Sequence, residues 1–307
     1  MSTVNEIIKN HQLWGGLNKP EISLTKADIV VFGIPFDGSV SFRSGSKDAP
    51  KALREITYTI PPTTEDFEDI SALKVLDLGD CEGKNRDEIF HLAEKAAYNA
   101  VKSGKFFTMV GGDHSATIPV QKGIDRALNE PFGIIHIDAH FDLCDALCGD
   151  KLSHGSTERR ALELKNIPDS ESLFFLGIRS IEPDELDFMN NNKVNVLSAK
   201  NIQHKGIEKT LEIVKEKMKR FNKIYVTLDI DCLDPAYAAG TGTPQFGGLT
   251  SRELLDLLHG LFELPIIGFD VVEVAPNLDP SLTSLFAARK IITECWGHFH
   301  RKNKFIK

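Results

Sequence analysis

The 307-residue sequence has no long apolar run. Its longest runs, such as Ile29 to Phe36, are far shorter than the roughly 20 residues that a helix needs to cross a bilayer. The segment from Met1 to Asn10 also lacks the basic-then-apolar pattern of a secretion signal. These absences exclude a membrane protein with spanning helices. We expect a cytoplasmic location.

Cysteine is scarce, and no pair has the CxxC spacing. An odd number without regular spacing argues against a disulfide framework and fits reduced thiols. The five cysteines are Cys81, Cys144, Cys148, Cys232 and Cys295.

Positive charge is in deficit, with 36 Lys and Arg against 44 Asp and Glu and a net charge of −8. This balance disfavours nucleic acid or an anionic membrane as a partner but suits a small cationic substrate. A hydrophobic content of 41% is enough for a sizeable core and does not indicate disorder.

Eight short runs rich in β-branched or aromatic residues recur along the chain, bounded by Gly, Pro or Asp. Such runs are typical of buried strands. The predicted strands are Ala27–Pro35, Leu73–Asp80, Phe106–Gly111, Phe132–Asp138, Ser172–Gly177, Lys193–Leu197, Lys223–Asp229 and Pro265–Asp270.

Apolar residues at helical spacing lie between several of these runs, as in Ile89–Val101 and Ile207–Met218. Thr250 and Glu253 have the spacing of a capping box. Strand and helix alternate without a linker-like stretch, which favours helices on both faces of a parallel sheet. We therefore predict one α/β domain over residues 1–307, a three-layer α/β/α fold with a mostly parallel sheet of about eight strands.

Candidate metal ligands lie at or just beyond the ends of three predicted strands, Phe106–Gly111, Phe132–Asp138 and Lys223–Asp229. Where two of these residues are two positions apart, their side chains lie on one face of the strand. The carboxyl ends of parallel strands form the edge at which ligands bind. The candidate metal ligands are His114, Asp138, His140, Asp142, Asp229 and Asp231.

Four carboxylates and two imidazoles are too many for one tetrahedral zinc ion, but they suit two divalent cations that share carboxylates. Oxygen-rich ligation with some imidazole favours Mn²⁺, with Zn²⁺, Fe²⁺ and Ni²⁺ as open alternatives. Strand-end aspartates also cap helices. Clusters at three separate strand ends nevertheless favour a metal site.

The sequence resembles the ureohydrolase family, which includes arginases and agmatinases, and it is most similar to agmatinases. The resemblance lies in three motifs and in the segments Gly33–Arg54 and Asp270–Pro276. The motifs are Val110–Ser115, Asp138–Asp142 and Asp229–Pro235.

This resemblance implies an arginase-like α/β/α fold, two Mn²⁺ ions bound by the six candidates, and assembly into trimers or hexamers. It also implies that Glu273 pairs with the substrate guanidinium, since a carboxylate matches the guanidinium fork bidentately. His154 would transfer a proton or contact the substrate. Thr243, in the glycine-rich stretch Gly240–Gly248, would line the pocket.

Guanidinium is a poor electrophile, so its hydrolysis needs a strong nucleophile. Two cations lower the pKa of a shared water from 15.7 toward about 7, which makes a metal-bridging hydroxide the expected nucleophile. With six ligands in place, we expect His136 to hydrogen-bond a ligand rather than bind metal. Asp113 and Asp234 are expected to do the same or to stabilise turns.

The substrate predicted from these residues is agmatine, hydrolysed to putrescine and urea. Leu143–His154 lacks the Asn and Ser/Thr pattern with which the family's arginases hold an amino-acid end. Asp145 and Asp150 are candidate contacts for a distant ammonium. Arginine, guanidinobutyrate and formiminoglutamate remain alternatives within the family.

Two alternatives come from other classes. One is a non-catalytic metal-binding scaffold, although such a protein would need neither Glu273 nor His154. The other is an amidine hydrolase with a cysteine nucleophile, which requires an activated thiolate.

Overall fold

Eight parallel strands form one sheet in the computed structural model, which describes residues 3–59 and 61–304. The single-domain prediction also includes residues 1–2, 60 and 305–307, which lie outside the described residues. The strands are β1 (Ile29–Ile34), β2 (Val75–Asp80), β3 (Phe106–Gly111), β4 (Gly133–Ile137), β5 (Leu173–Ile178), β6 (Asn195–Ser198), β7 (Ile224–Asp229) and β8 (Ile266–Val272).

All eight predicted strands are present, and the mostly parallel sheet is confirmed. The largest difference at a carboxyl end is in β8, which continues two residues beyond the predicted end at Asp270. Val271 pairs with Val110 of β3, and Val272 pairs with Asp229 of β7. The longer strand places Glu273 directly at the sheet edge.

Both faces of the sheet are apolar and covered, as the continuous apolar runs predicted. Ile29 and Val31 belong to one hydrophobic cluster, whereas Val30 and Phe32 belong to another. Successive strand side chains point to opposite faces, so each strand contributes to both clusters. The result is the predicted three-layer α/β/α fold.

The helices that cover the sheet follow the predicted periodicities. The predicted capping box opens its helix, because the side chain of Thr250 accepts from Glu253 N–H at 3.1 Å and that of Glu253 accepts from Thr250 N–H at 2.8 Å. Within the described ranges, no helix is long and apolar enough to cross a membrane. The helices are α1 (Val4–Ile7), α2 (Ala49–Ile56), α3 (Arg86–Lys102), α4 (Thr117–Ala127), α5 (Thr157–Ala161), α6 (Pro183–Asn191), α7 (Ala199–Lys205), α8 (Ile207–Met218), α9 (Ser251–Leu261) and α10 (Thr283–Lys304).

Strand order brings distant parts of the chain together. The order across the sheet is β2-β1-β3-β8-β7-β4-β5-β6, so β3, β8, β7 and β4 are consecutive neighbours. Every predicted metal ligand and Glu273 follow or end one of these four strands. Their carboxyl ends therefore form one continuous edge, which is where open parallel sheets bind ligands.

Candidate metal centre and substrate cleft

The structure brings the six predicted ligands together at this edge. Nδ1 of His114, which follows β3, lies 3.0 Å from Oδ2 of Asp138 and 3.0 Å from Oδ2 of Asp142. The same nitrogen is 3.6 Å from Oδ2 of Asp229. Three strand ends thus contribute atoms to one small volume.

A second group of ligand atoms adjoins the first. Nδ1 of His140 lies 3.1 Å from Oδ2 of Asp231 and 3.4 Å from Oδ1 of Asp138. Asp138 belongs to both groups, with a different oxygen facing each histidine. Two adjacent groups that share one carboxylate are the arrangement expected of a binuclear site.

The protonation pattern of His114 fits a metal ligand. Thr227 donates its hydroxyl hydrogen to Asp270 at 2.8 Å, so its oxygen accepts from Nε2–H of His114, also at 2.8 Å. The Nδ1 lone pair then faces carboxylate oxygens. Among the described residues, Nδ1 of His114 and Oδ2 of Asp138 and Asp231 are buried without a hydrogen-bond partner. A cation between them would satisfy these buried atoms, because lone pairs that face one another repel.

The electrostatics of the carboxylates lead to the same conclusion. Burial, together with the negative charges of Asp231 and Asp138, raises the pKa of Asp229 well above its ordinary value. A divalent cation would reverse this effect, because it stabilises the ionised form of each carboxylate. The residues present therefore fit a pair of divalent cations.

His136 is also close to the cluster, and four ligand-type atoms of His114, His136, Asp138 and Asp142 lie within 4.8 Å of one another. Its Nε2, however, faces both Oδ2 of Asp138 and the backbone carbonyl of His140 at 3.1 Å. A nitrogen that faces a carbonyl oxygen carries a hydrogen and has no free lone pair. We therefore interpret His136 as a hydrogen-bond donor to the backbone carbonyl of the proposed ligand His140.

Asp113 and Asp234 stabilise loops around the cluster. Asp113 accepts from the N–H of Ser39 at 2.9 Å and of Ser115 at 3.0 Å. Asp234 accepts from Gly247 N–H at 2.8 Å, which closes the glycine-rich loop. Both aspartates therefore act in turns, one of the two roles considered for them.

Glu273 and His154 contact each other beside the metal ligands. Nδ1 of His154 lies 3.2 Å from Oε1 of Glu273, and the same oxygen accepts from His114 N–H at 3.0 Å. Glu273 and Asp142 adopt positive φ angles of 61° and 54°. Non-glycine residues are strained in this region, and such strain concentrates at functional sites.

Two opposing effects act on the imidazole of His154. Burial lowers its pKa, but the hydrogen bond and charge of Glu273, with Asp142 and Asp113, raise it to about 9. On the other side, Ser41 N–H donates to Nε2 at 3.1 Å and so favours an unprotonated Nε2. This opposition suits a group that takes up and releases a proton.

A cleft of about 170 Å³ opens beside this pair, and its described lining includes His154 but not Glu273, which lies behind His154. Its acidic lining residues are Asp142, Glu182, Glu185 and Asp229, and the described lining includes neither Lys nor Arg. The other described lining residues are Ser41, His140, Cys144, Leu147, His154, Gly155, Ser180, Ile181, Thr243 and Gln245. Thr243 lies in the lining, where the sequence placed it.

The structure does not bring Asp145 and Asp150 into this lining. Asp145 pairs with Arg160 at 2.8 Å and with Lys151 at 3.4 Å. Asp150 pairs with Arg86. Both carboxylates therefore neutralise cations of the protein instead of facing the described cleft.

Glu182 and Glu185 line the cleft instead, and our sequence reasoning missed them. They follow β5, and the carboxylate of Glu185 accepts from the N–H of Leu143 and of Glu182, each at 2.8 Å. Burial, with Asp142 and Asp184, raises the pKa of Glu185 to about 7. The signal was present, because acidic residues just beyond a strand end were the criterion used for the predicted metal ligands.

The cysteine beside the cleft is a poor nucleophile. Burial, with the charges of Glu185 and Asp184, raises the pKa of Cys144 above its ordinary value. Burial likewise raises the pKa of Cys232. Since the thiolate is the reactive form, these environments oppose a cysteine mechanism.

Comparison with known proteins identifies the family. Residues 27–297 match the model of the arginase family. The chain belongs to the arginase family. Its agmatinase relative from Neisseria meningitidis is 36% identical over 277 residues, which cover 87% of this chain and 86% of the relative. The ureohydrolase resemblance is confirmed, and this arginase-family member is a hydrolase of a guanidino C–N bond.

Two further members of the arginase family show similar agreement. Proclavaminate amidinohydrolase from Streptomyces clavuligerus is 35% identical over 272 residues, which cover 85% of this chain and 84% of the relative. The crystal structure of agmatine ureohydrolase from Thermoplasma volcanium superimposes with a TM-score of 0.83 at 31% identity, covering 93% of this chain and 94% of that one. The arginase-like fold is therefore confirmed.

Proposed function

We propose that this arginase-family enzyme hydrolyses agmatine to putrescine and urea. The observation that carries the proposal is the charge of the cleft beyond the proposed metal ligands, where the described lining has Glu182 and Glu185 and no Lys or Arg. Agmatine has a guanidinium at one end and an ammonium at the other. Arginine, guanidinobutyrate and formiminoglutamate each carry a carboxylate, which would lie unpaired among these acids.

Two guanidinium groups near the cleft are directed at the glycine-rich loop. Arg43 donates to the carbonyl oxygens of Thr241 at 2.9 Å and Gly242 at 3.2 Å. Arg179 donates to the carbonyl oxygen of Gln245 at 2.8 Å. Both side chains hold the glycine-rich loop in place, and neither is among the described lining residues of the cleft.

We assign the guanidinium to Glu273 and the far ammonium to Glu182 and Glu185. A carboxylate and a guanidinium pair bidentately. Glu273 lies between His114 N–H and His154, which fixes its carboxylate at the metal ligands. Thr243, which lines the cleft, stays a proposed substrate contact. Asp145 and Asp150 pair with cations of the protein, which supports neither as a substrate contact.

The metal centre that we propose comprises two Mn²⁺ ions on His114, Asp138, His140, Asp142, Asp229 and Asp231. The chemistry that such a pair of cations supplies is activation of water as a nucleophile near neutral pH. His154 holds a proton at Nδ1 toward Glu273 and accepts from Ser41 at Nε2. We propose that the protonated ring delivers a proton to the departing amine and then regains one from solvent. The raised pKa favours this form, and the hydroxyl oxygen of Ser41, 3.0 Å from Nε2, can accept from its Nε2–H.

The test is product release from a substrate panel. Purified protein with Mn²⁺ should release urea from agmatine with a kcat/KM at least about 100-fold above that for arginine or guanidinobutyrate, because an unpaired buried carboxylate costs several kcal/mol. Formamide release from formiminoglutamate is assayed in parallel. A guanidino acid as the preferred substrate would contradict the proposal. One relative is named proclavaminate amidinohydrolase, so proclavaminate is the guanidino acid that competes with agmatine as the candidate substrate.

Two treatments distinguish the mechanism. Chelation should abolish turnover and Mn²⁺ should restore it, whereas alkylation of the exposed Cys148 should have little effect. Trimeric or hexameric assembly and the cytoplasmic location stay predictions. Size-exclusion chromatography with light scattering checks the assembly.

A further inference from the structure

Glu158 on α5 lies at the start of a buried polar chain that leads to the metal ligands. Its Oε1 accepts from Gln121 Nε2 at 3.0 Å and lies 3.2 Å from Nδ1 of His136. Nε2 of His136 in turn faces Oδ2 of Asp138 at 3.1 Å. The side chains of Glu158, His136 and Asp138 are all at most 1% exposed.

His136 contacts three of the proposed ligands. Besides Asp138, it faces the backbone carbonyl of His140 at 3.1 Å. Its ring stacks on the ring of His114, with centroids 5.0 Å apart and planes 3° from parallel. A rotation of this ring would therefore disturb both groups of ligand atoms, and Glu158 is the carboxylate that opposes such a rotation.

The backbone of Glu158 reaches a fourth ligand. Its N–H donates to the carbonyl oxygen of Asp142 at 2.9 Å. Asp142 has a strained positive φ of 54°, which needs support from its surroundings. Glu158 thus contacts the Asp138–Asp142 segment at one end through His136 and at the other end directly.

Only one carboxylate oxygen of the buried Glu158 is hydrogen-bonded, since Oε2 has no partner among the described residues. Burial of a carboxylate costs free energy unless the group is paired and hydrogen-bonded. Outer partners of metal ligands fix ligand orientation and increase metal affinity. We propose that Glu158 is a positioning residue that increases metal affinity by holding His136, and through it Asp138, in the orientation that binds metal.

The inference rests on the proposed binuclear centre and is tested by metal retention. Mn²⁺-loaded full-length protein is dialysed against graded chelator, and the Mn²⁺ that remains is measured by elemental analysis. Glu158→Gln keeps the size and the backbone N–H but removes the charge. We expect it to retain Mn²⁺ about 10–100-fold more weakly than the wild type.

A double-mutant cycle tests the route through His136. If Glu158 acts through that ring, His136→Asn combined with Glu158→Gln should retain Mn²⁺ no more weakly than His136→Asn alone. Independent, additive losses would overturn this route. Glu294→Gln is the matched control, since Glu294 is a buried glutamate on α10 that pairs with Lys290, and its Mn²⁺ retention should equal that of the wild type.

Unchanged Mn²⁺ retention in Glu158→Gln overturns the inference. If that variant does not fold, Gln121→Met removes only the donor to Glu158, and a loss of severalfold is expected; no loss again overturns it. The readout is independent of turnover. A wild type that binds Mn²⁺ but releases no urea from agmatine contradicts the proposed substrate, while the difference in retention still decides the role of Glu158.

Discussion

Nδ1 of His154 lies 3.2 Å from Oε1 of Glu273, although the two residues are 119 positions apart in the sequence. Ser41 N–H donates to the other ring nitrogen at 3.1 Å, so the hydrogen of a neutral His154 resides on Nδ1 and points at the carboxylate. This contact places the proposed guanidinium partner and the proposed proton donor side by side.

Replacement of Glu273 should separate substrate binding from metal binding. Glu273→Ala is expected to retain Mn²⁺ because Glu273 is not one of the six proposed ligands. It should lower kcat/KM for agmatine by about 100-fold or more, since a paired charge is lost. Elemental analysis and urea release are the measurements. Turnover equal to the wild type would remove Glu273 from the proposed site.

Replacement of Asp231 should affect metal and turnover together. Asp231→Asn preserves the side-chain size but loses the charge opposite His140, 3.1 Å away. We expect Mn²⁺ affinity and urea release to fall in parallel, by more than about tenfold. Asp234→Asn is the matched control for the loss of one carboxylate charge. Asp234 is not a proposed metal ligand, and it closes the glycine-rich loop through Gly247 N–H. Full Mn²⁺ content in Asp231→Asn would contradict the ligand assignment.

The affinity for agmatine should depend on pH through Glu185, whose pKa is raised to about 7, mainly by burial. A carboxylic acid with a raised pKa is neutral below that value, so its attraction for an ammonium is lost as the pH falls. About one tenth of Glu185 is ionised one pH unit below its pKa, so KM should rise up to about tenfold from pH 8 to pH 6.

The control for this pH effect is Glu185→Gln. It should have a raised KM at pH 8 and a weaker pH dependence over the same range, because the titrating group is gone. The measurement is KM for agmatine at fixed Mn²⁺. An unchanged pH profile in the variant would show that another group titrates.

The stability of the sheet edge near β2 should depend on Arg54. Its guanidinium is 1% exposed, donates to Asp77 at 2.8 Å and pairs with Asp80. Arg54→Ala leaves these carboxylates buried and unpaired, so the free energy of unfolding should fall by about 3–5 kcal/mol. Denaturant unfolding measures the change. Arg252→Ala removes a pair whose arginine side chain is 58% exposed and should cost less than about 1 kcal/mol.

Local patterning allowed the fold class and the metal centre to be predicted. The eight strands are continuous apolar runs because both faces of the sheet are covered. The Asp138–Asp142 segment was predicted to bind metal because alternate strand residues share a face, and the structure places its side chains beside His114 and Asp231. The substrate cleft was less accessible to such reasoning. The spacing of Asp145 and Asp150 does not show that Arg160 and Arg86 neutralise them.

The sequence by itself determined which elements form and which residues end each strand, because apolar periodicity and turn residues act over a few neighbouring positions. Only the tertiary structure decided that β3, β8, β7 and β4 are adjacent, which brings His114, Asp138, Asp229 and Glu273 together. It also decided that Glu182 and Glu185, and not Asp145 and Asp150, line the cleft. Strand order and ion-pair partners depend on contacts between residues far apart in the chain, which local spacing does not encode.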